Sequence, residues 1–139
     1  MNILVMDGQG GQLGAQLVKE ITAQFPGETL IAVGTNAVAT AAMLKAGAKQ
    51  AATGENPTVV ACRRADIIIG PIGIVIADSL LGEITPTMAA AVGQAGAVRI
   101  LIPLNKCENL VAGVTNPSTA SLIADTMGKL RAVIDAKNM

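Results

Sequence analysis

The stretch from Asn2 to Gly14 limits what this chain can fold into more than any other. It starts with an unbroken apolar run, Ile3-Leu4-Val5-Met6, passes through Asp7, and breaks into closely spaced glycines at Gly8, Gly10, Gly11 and Gly14. Apolar residues then recur at helical spacing, as Leu13, Leu17, Val18, Ile21 and Phe25, until Pro26-Gly27 stops the helix. A buried strand that turns on glycines directly into a helix puts a tight turn under a helix N-terminus. Unpartnered N–H groups point out of that end, the helix dipole makes it partly positive, and glycine lets an anion approach the backbone. The segment therefore predicts a phosphate site made by Gly8, Gln9, Gly10, Gly11, Gln12, Leu13 and Gly14. A glycine-rich strand-to-helix turn with no ligand is the structural alternative.

Glycine spacing refines this expectation. The dinucleotide fingerprint G-x-G-x-x-G would need glycine where Leu13 stands, but Gly8, Gly11 and Gly14 form G-x-x-G-x-x-G, and Gly8, Gly10 and Gly14 form G-x-G-x-x-x-G. The first pattern resembles that of the extended short-chain dehydrogenases, over the first βα unit only. In either register Gly14 lets the helix pack closely on the strands. Asp7 is expected to order the loop by accepting backbone N–H bonds.

Thr29 to Val33 reads as a second strand, apolar throughout as a strand covered on both faces should be. Dinucleotide-binding folds often place an acidic residue at this strand end to hold a free ribose 2′-hydroxyl. Thr35 and Asn36 stand here instead and could donate to a 2′-phosphate, so the expected cofactor is NAD(P), with NADP favoured. Either residue could also simply cap the helix expected over 37–46.

A polar turn, Thr53 to Pro57, leads to a short helix expected over 58–65, and Glu55 is the acidic side chain there that could face a cleft. Asp66 to Ile69 forms a third strand ending in Gly70-Pro71-Ile72-Gly73, a loop expected to flank the ligand. Thr85-Pro86 starts another helix, Val98 to Ile102 is a fourth strand, Leu110 to Val114 a short fifth, and Asn116-Pro117-Ser118 introduces the last helix. This alternation predicts an α/β fold, a doubly wound, mostly parallel sheet of about five strands in a Rossmann-like three-layer sandwich. The expected strand order is 3-2-1-4-5, with the crevice beside the first strand.

At 139 residues the chain is expected to be a single domain with no room for a separate substrate domain. Ten basic and ten acidic residues, scattered and balanced, argue against a nucleic-acid surface or an electrostatic membrane anchor. The longest apolar tract, Ile67 to Ala77, is interrupted by Gly70, Pro71 and Gly73 and falls short of the roughly 18 residues that span a bilayer. The N-terminus lacks the basic start and apolar core of a signal peptide, so a cytoplasmic location is expected. So few charges leave a lone monomer rather apolar, which predicts a homo-oligomer, with the segment 74–84 as the preferred contact.

The chain has no His, Tyr or Trp, which closes the commonest acid–base routes and the Tyr–Lys chemistry of the short-chain dehydrogenases. Cys62 and Cys107 match no metal-binding spacing, and no metal is expected. Candidates for catalysis are Lys106, Cys107 and Glu55. An ammonium beside a thiol favours the thiolate, although adjacent residues in an extended segment point opposite ways.

Five segments together, Met6 to Gly11, Ala32 to Asn36, Ala52 to Asn56, Ile69 to Ile74 and Asp78 to Pro86, resemble a small bacterial family of Rossmann-like proteins of unknown function. The resemblance covers nearly the whole chain and implies the fold already inferred, but no reaction. The expected function is therefore a nucleotide-binding protein, an NAD(P) sensor or cofactor-carrying subunit. Its alternatives are a small reductase or transferase completed across an oligomer interface, and an interaction protein with an empty crevice.

Overall fold

The computed structural model describes residues 1–104 and 109–139. Strand β1 (Asn2–Asp7) lies between β2 (Thr29–Gly34) and β4 (Ile67–Pro71), β3 (Gln50–Thr53) borders β2, and β5 (Val98–Ile102) borders β4. Every pairing is parallel, and the order is β3-β2-β1-β4-β5. In register, Ile3 sits opposite Leu30 on one side and Ile67 on the other.

A strand's side chains alternate between faces, so β1 feeds two cores. Ile3 and Val5 join the apolar stripes of α1 (Gln12–Gln24), α2 (Ala37–Lys45) and α5 (Thr119–Lys137), while Leu4 and Met6 meet α3 (Glu55–Arg64) and α4 (Pro86–Gln94). Ile67, Ile68 and Ile69 of β4 are all fully buried, as a strand covered on both faces requires. The sole aromatic ring, Phe25, closes α1 and lies 4.7 Å from the Arg131 guanidinium of α5, a cation–π contact.

Local chemistry sets the helix ends. The Asn36 side chain accepts the Ala39 N–H at 2.9 Å, Thr85 accepts Met88 N–H at 3.1 Å with Pro86 in the first turn, and Ser118 accepts Ser121 N–H at 3.1 Å.

The expected three-layer, doubly wound architecture is the one observed, but two elements differ. Residues 110–114 form no strand, and the fifth strand is Gln50–Thr53. Asp66 to Ile69, expected third and at the edge beside β2, is thus the fourth strand in chain order and lies between β1 and β5. The sequence Gln-Ala-Ala-Thr has one β-branched residue, Thr53, and no alternation to announce a strand, and pairing with Ile31 to Gly34 defines it instead. Helix α3 also begins at Glu55 rather than near Thr58. Pro57 falls in its first turn, where a missing N–H leaves no helical bond unmade.

Two glycines with opposite surroundings test this packing. A Cβ on Gly70 would collide with the Met6 carbonyl of β1, whereas Gly128, exposed in α5, has open space around it. Urea unfolding should show Gly70→Ala losing about 1–3 kcal/mol. Gly128→Ala should gain up to about 1 kcal/mol. Equal effects of the two would contradict this packing.

Candidate functional site

The sheet's order reverses at β1, whose successor in space on one side is β2 and on the other β4. Their following loops part to opposite faces, leaving a crevice outside the carboxyl ends of the strands. The turn after β1, residues 8–11, forms one wall. Gln9 (φ 50°) and Gly11 (φ 73°) take left-handed conformations, and Gly11 N–H bonds the Gly8 carbonyl at 2.9 Å.

Asp7 orders this turn from beneath. Its carboxylate is buried and accepts the Gly8 N–H at 2.8 Å and the Gly14 N–H at 2.7 Å. Burial pushes its pKa up and Glu83 adds to the rise; the bonds from Gly14 and Gly8 oppose it without cancelling it. The amides of Gly10, Gln12 and Leu13 have no hydrogen-bond partner among the described residues.

The glycines do different work. Gly10 is exposed, and a Cβ there would meet only Gln12 Cγ, at 3.9 Å. A Cβ on Gly11 would come within 2.7 Å of Ala39 Cα in α2, and one on Gly14 within 2.7 Å of Met43 Sδ and 2.8 Å of Asp7 Cβ. These two serve close packing of α1. Gly8 faces the crevice, where a Cβ would fall 2.7 Å from Thr35 Oγ1, 2.9 Å from Leu80 Cδ1 and 3.1 Å from Glu83 Oε1.

A carboxylate from far along the chain enters here. Glu83 Oε1 accepts the Gln9 N–H at 2.8 Å, the Thr35 hydroxyl at 2.5 Å and the Asn36 Nδ2 amide at 2.8 Å. Burial alone would raise the Glu83 pKa, but donation from Thr35, Gln9 and Asn36 outweighs it and holds the carboxyl below its ordinary value. Asn36 has two roles, since its other side-chain atom caps α2, and Nδ2 also reaches the Gln9 carbonyl at 3.0 Å.

Glu83 belongs to a compact strap, residues 76–84, following a 3₁₀ turn at Ile72–Val75. Ile74, Leu80 and Ile84 are buried, and Leu81, expected within an oligomer contact, is 95% exposed. Asp78 N–H bonds the Ile84 carbonyl at 2.7 Å and Ile84 N–H bonds the Ser79 carbonyl at 3.2 Å, closing the strap on itself. Three non-glycine residues, Asp78, Leu80 and Leu81, take positive φ of 65°, 54° and 56°.

Gly70 and Pro71 are buried at the carboxyl end of β4, and Ile72 opens the 3₁₀ turn. The Gly73 carbonyl accepts the Ser79 hydroxyl, so this loop is engaged by the strap. Glu55 stands apart from the Glu83 cluster, its carboxylate accepting the Thr85 hydroxyl at 2.6 Å. Lys106 and Cys107 lie outside the described residues. Burial pushes the Cys62 thiol up to about 11, leaving it protonated and inert at neutral pH. Sequence reasoning brought together the Gly8–Gly14 turn with Thr35 and Asn36 but missed Glu83, Leu80 and Ser79. A lone Glu in the apolar run after Ile74 was the signal available.

The chain belongs to the family described as a domain of unknown function (DUF3842), whose model matches residues 2–135. No curated protein matches it. Among solved structures it is similar to the crystal structure of a dodecameric FMN-dependent UbiX-like decarboxylase from Escherichia coli O157:H7. Identity is 19%, coverage is 95% of this chain and 75% of that one, and the TM-score is 0.46. Among the described residues no helix is long and apolar enough to cross a membrane.

The expectation of NAD(P), with NADP favoured, is corrected here. The crystal structure this chain is similar to is that of an FMN-dependent enzyme. Within this chain, Thr35 and Asn36, the donors expected on a 2′-phosphate, are spent on Glu83 instead.

The titration of Glu83 gives a direct check. Because its folded pKa is depressed, the stability it contributes is present above its unfolded value, about 4.3, and is lost as pH falls through the folded value. The melting-temperature deficit of Glu83→Gln should therefore be largest near neutrality and shrink as pH drops below about 4. A deficit that stays constant down to pH 3 would refute the bonded carboxylate.

Proposed function

We propose that this DUF3842 chain binds a phosphate-bearing mononucleotide at the carboxyl ends of β1 and β2, as a sensor or a cofactor-carrying subunit. In this reading residues 1–139 form a single binding domain. The observation that carries it is the gathering of three neutral donors, from Gln9, Thr35 and Asn36, on one carboxylate oxygen at the sheet's switch point. Donors converging on an anion there are what a phosphate oxygen needs. The unpartnered amides of Gly10, Gln12 and Leu13 extend the set along the first turn of α1.

A mononucleotide is favoured over a dinucleotide because donors concentrate on one side of the crevice. Toward β4, outside the strap, Ile74 fills the space with a buried apolar side chain. Self-association is part of the same proposal, supported by Leu81 at 95% and Val38 at 66% exposure, and light scattering checks it.

The test is thermal stability against FMN, AMP and GMP, each beside its phosphate-free counterpart riboflavin, adenosine or guanosine. At least one nucleotide should raise the melting temperature by mass action while its nucleoside does not. Gly10→Asp places a carboxylate in open space at the mouth, and it should weaken the active nucleotide by about tenfold or more through like-charge repulsion. The free variant's melting temperature should stay close to that of the wild type. No shift with any nucleotide at millimolar concentration, or equal shifts from nucleosides, would overturn the reading.

A further inference from the structure

We infer that residues 76–84 form a displaceable strap whose Glu83 carboxylate occupies the anion position of the crevice until a phosphate-bearing ligand takes its place. The inference rests on the phosphate-site reading above and adds to it how the site is regulated.

Three observations converge. Glu83 reaches its donors from 74 residues away at Gln9, 48 at Thr35 and 47 at Asn36, so the bond joins a separate segment to the site rather than completing a local turn. Leu80 follows it inward and, with Glu83, fills the space that the missing Gly8 side chain leaves open. The closed strap also holds Asp78, Leu80 and Leu81 in left-handed backbone conformations that L-residues disfavour. Leu80 and Ile84 anchor the strap in the core, while its Glu83 end is held by polar bonds against a strained backbone and is the part poised to lift when those bonds are taken over.

The exchange needs no covalent step. A phosphate oxygen accepts the Gln9 N–H, the Thr35 hydroxyl and the Asn36 amide, and Glu83 moves into water, where its charge is solvated. Ligand affinity is then reduced by the fraction of molecules whose strap is closed.

Binding of the nucleotide found in the thermal panel, measured by calorimetry, separates the outcomes. Glu83→Ala removes the competing anion and should tighten binding about tenfold. Leu81→Gly, at a fully exposed site, relieves strain only in the closed strap and should weaken binding about threefold. In the wild type, ligand should speed hydrogen exchange at the Gly82, Glu83 and Ile84 amides, whose bonds to Asp78, Leu80 and Ser79 keep the strap folded. Unchanged or weaker binding by Glu83→Ala, with no faster exchange in the strap, overturns the strap and leaves the phosphate site standing. Should no probe nucleotide bind the wild type or either variant, the site reading falls and the strap with it.

Discussion

Everything in this structure depends on β1 being buried on both faces and paired on both edges. Ile3, Leu4, Val5 and Met6 are almost completely excluded from water, and the strand pairs with β2 along its length and with β4 through Ile3, Leu4 and Val5. A strand so enclosed has only its ends free, and its carboxyl end must feed the chain out through a gap between helical layers. Gly8 and Gly11 make that exit possible, one by leaving room for side chains from two other loops, the other by a positive φ beside the α2 backbone. The crevice is thus a consequence of the topology, and its donors are the groups that strand ending and helix beginning leave without partners.

Much of this was legible because it is written in local periodicity. Apolar runs at Ile3, Thr29, Ile67 and Val98 announce strands, and Thr85-Pro86 and Ser118 announce helix starts. What was not legible depends on partners far away. The strand Gln50–Thr53 exists because β2 offers it an edge, and nothing in two alanines says so. Leu110 to Val114 has strand-like composition yet joins no sheet, which marks the limit of propensity where tertiary pairing decides.

The site divides in the same way. Asp7 was readable as a loop-ordering residue because its partners Gly8 and Gly14 are close in sequence. Thr35 and Asn36 were readable as crevice residues because the end of β2 must lie beside the end of β1 in a parallel sheet. Glu83 reads as part of an oligomer contact because the segment around it is mostly apolar, and nothing in the sequence sets its charge apart from that of Asp78. Contact with donors 47 to 74 residues away is a property of the folded chain alone.

On the proposed reading, the charge balance of the crevice makes Glu83 and an anionic ligand exclude each other. The donors on Glu83 are an amide N–H, a hydroxyl and a carboxamide, all neutral, and the neighbouring carboxylate, Asp7, is already held above its ordinary pKa by burial, with a smaller push from Glu83. Neutral dipoles can stabilise one negative charge well, but a second brought alongside meets repulsion with no cation in the donor set to offset it. A site supplied with Lys or Arg could hold both. In the proposed exchange the same three donors serve whichever anion is present, and the strain at Asp78, Leu80 and Leu81 favours release of the resident one.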